Sequence, residues 1–129
     1  GVMMHYPQPL NENNVDFVKK ALQDRGLKLA CCDVDLFSDP IFARGSLMSE
    51  DSELRKKAID YSKKAMDIAE YLEAGVMNLW PGQDGFDYPF QINYVAQWNL
   101  LVEALIEIAQ HNPQVRLSLE YKLREPRTH

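Results

Sequence analysis

Four short apolar runs alternate with three helical patterns, and this alternation restricts the chain to very few folds. The runs fall near residues 2–5, 27–33, 75–80 and 117–126, and the helical patterns lie between them. Strand, helix and strand in succession, with helices long enough to cross over, predict parallel pairing. The expected fold class is therefore α/β, a parallel βαβαβαβ sheet. A closed barrel of eight such units needs about 250 residues, so 129 residues supply half a barrel or a small open sheet.

The helices are read from their periodicity. In the first, Asn13 or Asn14 caps the start, Val18, Ala21 and Leu22 form the apolar stripe, and Gly26 ends the helix. The second, roughly 50–73, repeats Leu54, Ala58, Tyr61, Ala65, Ile68, Ala69 and Leu72 at steps of three and four. The third, about 91–111, is expected to turn Val95, Trp98, Val102, Leu105, Ile106 and Ala109 inward before Asn112 and Pro113 stop it. Residues 36–49 read as a long loop with one helical turn after Pro40. The second strand is apolar on both faces after Lys28, as expected beneath helices.

In a parallel sheet every strand C-terminus lies on one edge, where α/β proteins place their sites. Here those ends carry His5; Asp33 and Asp35; Trp80 with Gln83 and Asp84; then Glu120 and Lys122. Side chains in a strand alternate between faces, so Glu120 and Lys122 emerge on one side, while Leu117, Leu119 and Tyr121 take the other. Taken alone, Glu120 and Lys122 read as an ion pair on a half-exposed strand, and the aromatic rings as core packing. The convergence of four strand ends is what points to chemistry.

Composition narrows the partners. The formal net charge is -5 and the basic residues are scattered, which argues against a nucleic-acid groove. No apolar run reaches the roughly 20 residues of a membrane span, and residues 1–20 lack a signal-peptide pattern, so a soluble cytoplasmic protein is expected. Cys31 and Cys32 are adjacent and read as buried thiols. One domain over residues 2–129 is expected; it starts in a strand and stops just after the fourth, so both ends read as cuts in a longer frame.

Four segments together resemble the xylose isomerase family of metal-dependent sugar isomerases. They are Asp35-Leu-Phe-Ser-Asp-Pro-Ile-Phe-Ala-Arg-Gly, the helix start Ser49-Glu-Asp-Ser-Glu-Leu-Arg, the loop Leu79-Trp-Pro-Gly-Gln-Asp-Gly and the strand Leu119-Glu-Tyr-Lys-Leu-Arg-Glu-Pro. The resemblance implies units two to five of a (β/α)8 barrel that interconverts aldoses and ketoses with two divalent cations, magnesium, manganese or cobalt. It implies that Glu120 is a metal carboxylate and that Lys122 stabilises charge at the sugar carbonyl oxygen. Trp80 and Phe37 would be apolar walls of the pocket, and His5 the group that assists ring opening. A monosaccharide would be the substrate, moved between isomers by hydride shift or through an enediol.

The chain departs from the family in three places. No acidic residue follows closely after His5, Pro81-Gly and Gln83-Asp replace a glycine pair and an Arg-Glu pair, and Asp33 and Asp35 stand where hydroxyl and amide groups are usual. Those two aspartates are read as polar lining or loop-capping groups. The other metal ligands of the family belong to strands beyond residue 129, so the isolated chain is expected to be inactive. One alternative is a non-catalytic half-barrel that self-associates, with a homodimer favoured because two half-barrels would close eight strands. A metal-dependent endonuclease of the same barrel type is weaker, since only three histidines occur and net charge is negative.

Overall fold

A computed structural model describes residues 1–81 and 91–120. Its elements run β1 (Val2–Tyr6), α1 (Val15–Gln23), β2 (Leu29–Val34), a 3-10 turn (Pro40–Phe42), α2 (Ser52–Tyr71), β3 (Val76–Leu79), α3 (Tyr94–His111) and β4 (Arg116–Leu119). The strands form one sheet in the order β1-β2-β3-β4, and all three pairings are parallel. The expected βαβαβαβ order holds. A strand order that advances one place at a time through right-handed crossovers puts every helix on the same face, as in half of a TIM barrel.

That one-sidedness corrects the expectation for β2. Cys32 and Val34, which face the helices, are buried, whereas Cys31 on the opposite face is only half-buried. The sheet has a helix-covered face and an open inner face. Among the described residues the core lies on the covered side: Met77 and Leu79 of β3 and Val34 of β2 meet Ala58, Ala65, Met66 and Ala69 of α2. Three alanines in the buried stripe let the α2 backbone lie close to the sheet. Leu10, Leu36, Phe42 and Leu47, all fully buried, seal the end of the core near the loops.

Local chemistry explains where the helices start and stop. The Asp51 side chain accepts from the N–H groups of Glu53 and Leu54, satisfying two of the open donors of α2. Asn93 does the same for α3 through Ala96. Asn14 stands at the cap of α1 but makes no capping bond; it accepts from the Asn11 N–H and donates to the Pro9 carbonyl, bracing the incoming loop instead. Gly26 takes a φ of 61°, the left-handed turn that ends α1 as expected. Beyond α2, Glu73 takes the same conformation without being glycine, with a φ of 59°.

The inward face of α3 is the largest departure from expectation. Gln97, Ala104 and Ile108 are its buried residues, and Leu101 and Leu105 pack partly against the core. Val95, Trp98 and Ile106, expected inside, are 72 %, 64 % and 51 % exposed, and Val102 and Ala109 are exposed as well. The helix is apolar on more than one side, so its periodicity does not select a face. The polar amide of Gln97 turns inward while an apolar stripe is left on the surface.

Candidate functional site

Register places the site. His5 of β1 is the cross-strand partner of Asp33, Asp33 of Asn78, and Asn78 of Ser118, so the four form one row across the sheet. Paired residues of parallel strands point to the same face. Since Met77 and Leu79 face the helices, this row lies on the open inner face. Trp80 and Glu120 follow two residues after Asn78 and Ser118 and therefore rise on the same face, one layer nearer the C-terminal edge. The Glu120 N–H donates to the Leu79 carbonyl over 2.9 Å, extending the ladder beyond β4.

Three of the expected residues touch in a chain. The Phe37 ring meets the Trp80 ring at a centroid distance of 4.6 Å and 66° between planes. On its other side it meets His5 at 6.5 Å and 84°. Edge-to-face contacts of this kind are favourable because the positive edge of one ring faces the negative face of another. The result is a continuous aromatic wall across the ends of β1, β2 and β3. All three rings are only partly covered, which favours a wall over a core cluster.

Glu120 stands at the end of β4, and its Oε2 accepts from Asn78 Nδ2 over 3.0 Å. The side chain is exposed, so that bond orients the carboxylate without burying it. Sequence reasoning passed over Asn78. The signal was present, since Asn78 is the polar member of an otherwise apolar strand and shares its face with Trp80. Lys122 lies outside the described residues, as do Gln83 and Asp84.

The two aspartates of the β2 end behave differently. Asp35 Oδ1 accepts from the N–H groups of Phe37 (3.0 Å) and Ser38 (2.8 Å), the loop-capping role expected of it. Partial burial works against its anion, but bonds from Ser38 and Phe37 and the nearby His5 outweigh that and hold the carboxyl below its ordinary range. Asp33 is 5 % exposed, and its Oδ2 has no hydrogen-bond partner among the described residues. Its other oxygen accepts from the Cys31 thiol at 3.9 Å. Burial, reinforced by the Asp33 charge, pushes Cys31 up to about 11, and burial pushes Cys32 up to about 12. Both thiols are free and protonated at neutral pH.

Among the described residues no group of three or more His, Cys, Asp or Glu side chains comes together to hold a metal ion. Glu120 offers one hard oxygen ligand, which suits magnesium or manganese but does not make a site alone. Other polar pairs serve the fold. Tyr6 donates to Glu12 (2.9 Å), Lys64 pairs with the same carboxylate (3.0 Å), and His111 pairs with Asp67 (2.8 Å). Among the described residues no helix is long and apolar enough to cross a membrane.

A sequential parallel sheet with helices on one face and polar and aromatic groups along its C-terminal edge defines the class, a β/α-barrel architecture. Comparison narrows it. The chain belongs to the xylose isomerase-like TIM barrel family, whose model matches residues 1–127. It is 34 % identical over 113 residues to the xylose isomerase of Thermus thermophilus, which covers 84 % of this chain and 29 % of that protein. The xylose isomerase of Paraburkholderia xenovorans is 27 % identical over 118 residues, 88 % of this chain and 27 % of that one. Among solved structures, a D-tagatose 3-epimerase-like protein superposes with a TM-score of 0.72 at 16 % identity, over 91 % of this chain and 42 % of its own. The D-allulose 3-epimerase of Methylomonas sp., determined with D-allulose, gives 0.70 at 18 % identity over 91 % and 38 %. The chain thus spans less than a third of the xylose isomerases it matches, and it shares the barrel fold of the epimerases.

Proposed function

We propose that the chain carries one side of the sugar pocket of a metal-dependent aldose-ketose isomerase. The observation that supports this most is the aromatic wall of His5, Phe37 and Trp80 beside the oriented carboxylate of Glu120, all on one sheet edge. Phe37 and Trp80 shield the pocket from water and stack on the carbon face of a monosaccharide, as aromatic rings do with apolar C–H surfaces. His5 exchanges a proton with the ring oxygen during opening. Lys122 stabilises negative charge developing at the carbonyl oxygen of the open sugar. Glu120 supplies one ligand for magnesium, manganese or cobalt, and a bound divalent cation would act as a Lewis acid on the sugar oxygens.

The isolated chain is inactive on this reading, because among the described residues no set of ligands gathers with Glu120 into a metal site. The test is a chimera in which residues 2–127 replace the matching segment of the Thermus thermophilus xylose isomerase. Prepared from a host lacking its own isomerase, the chimera should convert D-xylose to D-xylulose with added manganese, whereas the chain alone should not. A folded chimera without turnover, or turnover by the chain alone, would overturn the reading.

A second reading is supported by the exposed apolar stripe of α3 and by the outer edges of β1 and β4, each strand having one neighbour among the described residues. Two copies could place β4 of each beside β1 of the other and close an eight-stranded ring. The chain would then serve as a self-associating half-barrel.

A further inference from the structure

We propose that Asp35 is the positioning residue of the aromatic wall, its carboxylate holding the turn that sets the Phe37 ring between His5 and Trp80. The backbone of Asp35 is fixed first, since its N–H donates to the Tyr6 carbonyl over 2.8 Å and so continues the β1-β2 ladder one step beyond β2. From that anchored point Oδ1 accepts two successive N–H groups, those of Phe37 and Ser38. An aspartate that gathers the amides two and three residues on folds the chain back on itself, a turn that this side chain favours because its oxygen reaches that far and no farther. Phe37 leaves the turn with its ring edge-on to His5 on one strand and Trp80 on another. One side chain of β2 thus ties together groups contributed by β1 and β3.

The same carboxylate has a second relation to the site. His5 is followed by Pro7, Gln8 and Pro9, so its own segment offers no acidic neighbour until Glu12, which is bound to Tyr6 and Lys64. Asp35 supplies negative charge beside His5 from the adjacent strand. The compensation is spatial, and the spacing along β1 does not reveal it. The purpose of the wall rests on the sugar-pocket reading above; the hold of Asp35 on Phe37 does not, and the two fail separately in the test.

The chain has two tryptophans, so the indole N–H resonances of Trp80 and Trp98 give a direct readout. Trp98 is exposed on α3 and serves as the internal control. Phe37→Leu should shift the Trp80 resonance by removing the ring current of its neighbour, and leave Trp98 in place. Asp35→Ala should reproduce most of that shift, whereas Asp35→Asn, whose amide oxygen still accepts from both N–H groups, should keep Trp80 near its original position. If Asp35→Ala loses its helical circular dichroism, Asp35→Gln replaces it, being one methylene too long for the turn. An unmoved Trp80 in Asp35→Ala or Asp35→Gln would overturn the proposal, and so would a shift in Asp35→Asn as large as that in Asp35→Ala.

Discussion

Asp33 is the residue whose cost is clearest. Its carboxylate is buried on the row that His5 begins, and one oxygen lacks a partner among the described residues. An unsatisfied buried polar atom costs on the order of 1–3 kcal/mol. Asp33→Val keeps the shape and removes the polar atoms, so it should stabilise the chain by about 1 kcal/mol in urea denaturation; destabilisation would mean that a bond to Asp33 holds the fold. The cysteines set a pH dependence at the other extreme. Each thiol has a folded value above its ordinary 9.0, about 11 for Cys31 and about 12 for Cys32. Folding therefore favours the protonated form, and the stability this contributes is complete below the ordinary value and lost as pH rises through the folded ones. Urea midpoints should fall between about pH 9 and 11, and Cys32→Ala should make the fall shallower. At this scale the shared edge of His5, Trp80 and Glu120 was legible because a parallel sheet brings its strand ends together, whereas Phe37 entered only through the resemblance. Asn78 was passed over because it lies inside a strand, although its polarity among apolar neighbours and its shared face with Trp80 marked it.

For whole elements, legibility followed how one-sided each pattern is. The stripe of α2 was readable because Lys56, Lys57, Asp60, Lys64 and Asp67 mark its outer face, and Ala58, Ala65, Ile68 and Ala69 are buried as the spacing required. In α3 the apolar residues surround much of the helix, and the face chosen from sequence is the one the structure exposes. What decides is tertiary: α3 must meet both α2 and β4, and Gln97, Ala104 and Ile108 are the residues it buries in doing so. The end of α2 carries a further expectation. Glu73 holds a left-handed conformation that costs a residue with a Cβ about 1 kcal/mol. Glu73→Gly should raise stability by roughly 0.5–1 kcal/mol, read as a higher urea midpoint with unchanged slope. An unchanged or lower midpoint would show that the Glu73 side chain contributes more than its conformation costs.

In the molecule as a whole, the parallel order and the common edge followed from the alternation of strand and helix patterns. The open inner face did not, because an apolar run in a strand does not reveal whether one or two layers cover it. Size limits matter here too. A sheet with its site face open and an apolar stripe on α3 buries less than a closed barrel would. If self-association covers these surfaces, light scattering on a sizing column should give twice the chain mass, and Trp98→Asp should return it to one; a monomer at all concentrations would remove that reading and leave the sugar-pocket reading intact.

As proposed, Glu120 is a metal ligand held in place by Asn78 at the edge of a sugar pocket. The most direct test of this role is manganese titration of the chimera described above, followed by the paramagnetic signal of free Mn2+, for the parent sequence and for Glu120→Ala. Glu120→Ala should weaken manganese binding by about 10-fold or more while the melting transition is kept, with Asn78→Ala weakening it to a smaller degree. Equal manganese affinity in the parent and in Glu120→Ala would contradict this role, and would reduce Glu120 to a polar residue at the end of an exposed strand.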